Sequence, residues 1–289
     1  MKGLNHILAI AGNTLTEALR QRILYVLIVF GVVLLALGTF GTDFSLGDEF
    51  KFMKDSAYAA ISMIGLVVAL VSTSQLIPSE IERRTIYTLL SKPVQRHEFI
   101  LGKYLGLVAV LTLNMLMMAL IFFLVLRFKG VLMMAGLGGG GGNAPGELQA
   151  EQINMIRHQV QDPAMLQAFC LLWAKLCIVI ALAVLFSTVA TSTVFIACMT
   201  LLVYFAGHLQ SIARESWLNG GAHLDWPKSA FLAIISLLVP DFQAYSLIDE
   251  MIAGNAVSWH KTAEILAYSG VYIAVVMALS ALIFEEREL

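Results

Sequence analysis

The chain has 289 residues, a formal net charge of −2 and only 13% charged residues, against about 25% in an average soluble domain. With 59% hydrophobic residues and a mean hydropathy of +0.82, it lacks the polar surface that a soluble all-helical protein of this length needs. A near-neutral chain with no basic tract also has no electrostatic means of holding nucleic acid.

Residues 3–20 come first. Leu4, Ile7, Leu8, Ala11, Leu15 and Leu19 recur at helical spacing with Asn5, His6, Asn13, Glu17 and Arg20 on other faces, which predicts an amphipathic helix lying in the membrane interface. Six apolar runs follow, at about 23–41, 57–77, 103–126, 167–187, 189–208 and 262–284. Each approaches the roughly 20 residues that a helix needs to cross a bilayer core. A barrel would instead show weak alternation in segments of about ten residues. The expected fold is an all-α integral membrane protein, one domain over 1–289 with six transmembrane helices. No small-residue cleavage site stands close behind the first run, so it is expected to remain as an uncleaved anchor.

Between the runs, the loop 127–166 holds LGGGGGNAPGE at 137–147, which is flexible by composition. No Gly-Lys-Ser/Thr follows it, so it is not a phosphate loop. GELQAEQINMIRHQVQD after it predicts a short polar helix. Before the sixth run, FLAIISLLV at 231–239 is too short to cross and is stopped by Pro240. The region of about 229–255 is therefore expected to be re-entrant, with Trp217, Trp226, Tyr245 and Trp259 at a membrane boundary.

Basic residues orient the runs. Lys2, Arg20 and Arg22 precede the first, while Arg83, Arg84, Lys92, Arg96 and Lys103 crowd the short connection between the second and third. The positive-inside rule then places both termini and that connection in the cytoplasm, and the 127–166 loop outside.

That connection carries PSEIERRTIYTLLSKPV at 78–94. Pro78 followed by Ser79-x-x-Glu82 is a capping box, predicting a helix over about 80–92 that starts at Glu80 and ends before Pro93. Three turns are marginal in water alone, so the helix must pack on something. Its paired arginines and Tyr87 exceed what a linker requires.

EIERRTIYTLLSKPVQRHEFILGKYLG at 80–106 resembles the cytoplasmic loop of ABC-2 type ABC transporter permeases. Within that family it most resembles the branch of nitrous-oxide-reductase maturation and gliding-motility permeases. The resemblance implies a transmembrane subunit of the bacterial cytoplasmic membrane that pairs with a second permease copy, identical or a close paralogue. A separate cytoplasmic ABC ATPase subunit would supply ATP and Mg, with no cofactor bound by the permease itself. By matching positions, Glu82, Arg83, Thr85, Leu89, Leu90 and Pro93 would be ATPase-coupling residues, and exposure adds Arg84 and Tyr87. Two departures are the Arg84-Thr85 pair, where the family carries a small residue, and the long glycine-rich outer loop. No Walker motif is present, which agrees with hydrolysis by a partner.

Within the runs, Lys175 is an ionisable intramembrane residue and so a candidate for the transport pathway, although snorkelling or pairing between helices would also account for it. Asn114 lies mid-run in the third stretch and Ser72, Thr73, Ser74 and Gln75 near the inner end of the second, where hydrogen bonding between helices is the expected role. Met115, Met117 and Met118 read as adaptable filler rather than soft metal ligands. Cys170, Cys177 and Cys198, without CxxC spacing, read as small buried hydrophobes. No catalytic motif is found. A secondary transporter would carry buried acids and repeated halves; reading the six runs as free of Asp and Glu argues against it. A non-transporting anchor that passes mechanical force from an ATPase is the remaining alternative.

Overall fold

The computed structural model describes residues 2–40, 49–82, 95–138, 147–160, 162–219, 239–252 and 257–286. Among these the chain is helical, without strands: α1 (Lys2–Leu19), α2 (Arg22–Phe40), α3 (Glu49–Glu82), α4 (Arg96–Gly138), α5 (Glu147–Val160), α6 (Ala164–Val189) and α7 (Thr193–Asn219). A connector with one 3₁₀ turn (Gln243–Ser246) and the short α8 (Leu247–Ile252) leads to α9 (Trp259–Glu286). Five stretches are long and apolar enough to span a bilayer: Glu49–Gln75, Arg96–Ala135, Ala164–Val189, Thr193–Gln210 and Trp259–Glu286. The pair Gly3–Leu19 and Leu24–Thr39, bent by 66°, makes a sixth if counted as one broken span.

The centre of the bundle is α6. Its sequence is apolar all round, as a helix surrounded by others must be, and from Leu176 to Val184 every side chain is buried. The surrounding helices keep one apolar face outward, with Val26, Leu120, Leu202 and Val271 each more than 60% exposed. Such faces suit lipid.

Two sets of polar contacts mark the two ends of the bundle. At one end Lys129 pairs with Glu49 at 3.1 Å and Lys54 with Asp162 at 3.5 Å. The Tyr58 hydroxyl there donates to the Met165 carbonyl at 2.9 Å. At the other end Arg96 donates to the carbonyls of Phe284 (3.2 Å) and Glu285 (2.9 Å), capping the end of α9 with a cation. His6 of α1 lies 3.1 Å from Glu98 at that same end.

The way α1 packs follows from two glycines. A Cβ at Gly102 would lie 2.8 Å from the Ile10 side chain and 3.0 Å from the Ile7 carbonyl, and one at Gly106 would lie 2.6 Å from Thr14 and 2.9 Å from the Ala11 carbonyl. Gly102-x-x-x-Gly106 therefore lets α1 cross α4 at backbone contact, the small-xxx-small device of membrane helices. The buried stripe of α1 is Ile10, Thr14 and Ala18, whereas Leu4 and Leu8 of the expected apolar face stay 64% and 58% exposed.

Several boundaries differ from expectation. α3 runs unbroken through Pro78 to Glu82, so the helix start expected at Glu80 is absorbed into α3; extending an existing helix avoids the cost of a new nucleus. Residues 83–92 of the expected coupling helix lie outside the described residues, as do 229–238 and 253–255 of the expected re-entrant region. α4 continues 12 residues past the expected end at 126, to Gly138, because Arg127 lies over the Phe123 ring at 5.1 Å and Lys129 finds Glu49. The expected polar helix forms as α5 and folds back on α4, with Val160 against Gly130. Tyr245 is buried within the chain, and of the cysteines only Cys177 is fully buried.

Spans free of acids are also not what is found. Glu264 falls inside the sixth predicted run, exposed and 3.1 Å from His260. Asp55 enters the second span because α3 begins eight residues before the expected start at 57, at Glu49.

A charged cavity as candidate functional site

A cavity of about 610 Å³ lies between α3, α6, α7 and the connector. Lys175 forms its innermost charge, 11 residues after Ala164 and thus about 16 Å along α6. That is too deep for a lysine to snorkel back to the start of its own helix. Its ammonium instead meets His208 of α7, with Nζ 3.0 Å from Nε2, and lies 5.4 Å from the Tyr204 ring and 5.9 Å from the Phe242 ring. Inter-helix pairing, one of the roles open from sequence, is thus observed.

The tautomer of His208 follows from its other nitrogen. Nδ1 lies 2.9 Å from the Tyr204 carbonyl, an acceptor, so Nδ1 carries the proton and Nε2 offers its lone pair to the ammonium. The pair is a cation on a neutral imidazole, flanked by two aromatic faces that favour positive charge.

The connector is held against α7 by a missing side chain. Phe242 N–H donates to the Gly207 carbonyl at 3.2 Å, and a Cβ at Gly207 would stand 2.6 Å from the Pro240 carbonyl and 2.5 Å from the Phe242 ring. Glycine at 207 is what brings that ring to Lys175. Below it, Tyr245 hydrogen-bonds Ser269 of α9, whose own hydroxyl donates to the Ile265 carbonyl at 2.6 Å, so the tyrosine must be the donor. Burial pushes the Tyr245 hydroxyl up to about 12, which keeps that proton in place.

The outer rim of the cavity carries Lys51 and Asp55 from α3 and Asp249 from α8. Lys51 and Asp55 are four residues apart on one helix face, where opposite charges partly offset. Among the described residues, neither aspartate forms an ion pair within 4 Å, and no carboxylate reaches Lys175 at that distance.

Of the residues singled out in the sequence, Lys175 lines this cavity and Asn114 does not. Asn114 is 4% exposed inside the bundle, with both amide atoms lacking a partner among the described residues. The side chain of Glu82 and residues Arg83, Arg84, Thr85, Tyr87, Leu89, Leu90 and Pro93 lie outside the description. Their flanks are described: Arg96 and Glu98, directly after that segment, grip α9 and α1. His208 and Asp249 escape sequence reasoning, although a signal for the first exists. Lys175 and His208 stand sixteen residues either side of the 191–192 turn between α6 and α7, so the hairpin brings them to one level.

A bundle of bilayer-length helices around an ionised cavity defines a helical integral membrane protein. Residues 8–289 match the family model described as ABC-2 family transporter protein, and the chain belongs to that family. No curated protein matches it.

Proposed function

We propose that the chain is the permease subunit of an ATP-driven ABC transporter of the bacterial cytoplasmic membrane, an exporter that works as a pair with a separate cytoplasmic ATPase. The observation that carries this is the family match over residues 8–289, together with the charged segment between α3 and α4 that resembles the ABC-2 coupling loop. The wording of that segment also favours the nitrous-oxide-reductase maturation and gliding-motility branch.

In this reading both termini are cytoplasmic, the coupling segment of about 80–92 docks in a cleft of the ATPase, and the cavity opens in the outer half of the membrane. α1 lies in the interface with Leu4 and Leu8 towards lipid, an orientation supported by their exposure. ATP-driven closure of the ATPase pushes on the loop, and the force enters α4 at its first turn. Arg96 and Glu98 there pass it directly to α9 and α1, because one moves the α9 carbonyls and the other His6. The cavity lies against α3, α6 and α7, so tilting α4 relative to α9 and α3 alters its walls. The partner supplies ATP and Mg, and the permease holds no cofactor.

Arg84→Glu and Tyr87→Ala are expected to reduce stimulation of the partner ATPase at least several-fold while the permease inserts at wild-type level. Full stimulation in both variants would remove the docking assignment.

A further inference from the structure

The cavity contains charges that its own walls leave apart. Lys175 gives one N–H to His208, and the two rings beside it are neutral, so its positive charge has no counter-anion in contact among the described residues. Asp55 shares a helix face with Lys51. Asp249, exposed on α8, faces the same space without an ion pair among the described residues. Among the described residues Asp249 acts on Lys175 only through space, so the lining presents a cation and, at its rim, a carboxylate that are not in contact with an opposite charge. Lys175, the less exposed of the two, gains most from an anion brought into contact with it. The volume, about 610 Å³, is within the roughly 300–1,000 Å³ of small-molecule sites, and Leu172, Ile248 and Ile252 add apolar wall to it.

We propose that this cavity binds a zwitterion, a phosphate or carboxylate joined to a primary ammonium, with the anionic group on Lys175 and the ammonium on Asp249. Such a ligand neutralises both ends at once and replaces water on both. A simple anion would satisfy only Lys175 and leave Asp249 repelling it; a simple cation would do the reverse. The same chemistry occurs in a zwitterionic lipid headgroup and in a free soluble zwitterion. The inference rests on the permease reading only in taking the bound molecule as cargo.

The test uses the full chain purified in detergent without its ATPase. Native mass spectrometry counts bound phosphatidylethanolamine and phosphatidylglycerol, and calorimetry follows soluble O-phosphoethanolamine and inorganic phosphate. At least one zwitterion is expected to bind one per chain, at least tenfold more tightly than the matching anion, and to weaken at least tenfold in Lys175→Met and in Asp249→Asn. Binding of the lipid without the soluble compound assigns the headgroup as the source, and the reverse assigns a free zwitterion. Asp249→Lys, a change at an exposed site, is expected to invert the preference towards phosphatidylglycerol or phosphate. Wild-type protein that binds neither zwitterion, binds zwitterion and anion equally, or keeps its preference in Asp249→Lys would overturn the proposal. None of those results touches ATPase coupling, and lost coupling would leave the binding result standing.

Discussion

Asn114 and His208 show opposite ways for a polar side chain to live inside a helical bundle. Asn114 is buried with its amide oxygen and nitrogen both unpartnered among the described residues, a costly state that an isosteric apolar group would remove. Asn114→Leu is therefore expected to leave the melting temperature in detergent unchanged or raise it by a few degrees; a fall would show that a water or ligand satisfies the amide. His208, in contrast, is the neutral acceptor that holds a buried cation. Removing one partner of such a hydrogen bond leaves the other unsatisfied, at a cost of about 1–3 kcal/mol. His208→Leu is expected to lower the melting temperature by more than Lys175→Met, which removes the charge itself. Equal losses would mean that the pair is not the origin of the effect. Lys175 was legible as a candidate because a lone ammonium in an apolar run stands out. His208 was not, since a histidine near a run's end carries no such mark until the α6–α7 hairpin is folded.

At the scale of elements, hydrophobic length predicts five spanning helices, and a sixth only if the bent α1–α2 pair counts as one, but not where each stops. α4 outlasts its apolar run because Arg127 and Lys129 find an aromatic face and a glutamate, contacts that a hydropathy pattern does not contain. Pro78 reads as the start of a new helix, yet α3 continues through it. The contact of α1 with α4 was not legible for a related reason: the helical wheel identifies its greasy face, while the contact is decided by where two glycines permit approach. Those glycines can be tested. Gly106→Val is expected to destabilise the protein by about 1–3 kcal/mol, as over-packing does, and to release α1 from α4. Limited proteolysis should then cut near residue 20, whereas an uncut, equally stable variant would show that the crossing tolerates a side chain.

For the whole molecule, the two ends of the bundle are the organising fact. One end gathers the start of α3 and α6 with α4's outer part, and the other gathers α1, the start of α4 and the end of α9. That the chain builds a bundle of apolar helices of bilayer length was readable from sequence. The Arg96 ties at the second end were not, because they join residues 188 or more positions apart through backbone carbonyls. If those ties carry force, Arg96→Ala should reduce ATPase stimulation several-fold without reducing binding of the ATPase; unchanged stimulation would place the path of force elsewhere. The account as a whole stands on the claim that an ATPase drives this bundle. The most direct measurement is a pull-down of the tagged chain from native membranes, with mass spectrometry and an ATPase assay on what elutes. Recovery of a Walker-motif ATPase at about one per permease, with activity in the eluate, is the predicted result. Permease eluting alone and inactive, under conditions that preserve other such complexes, would contradict it.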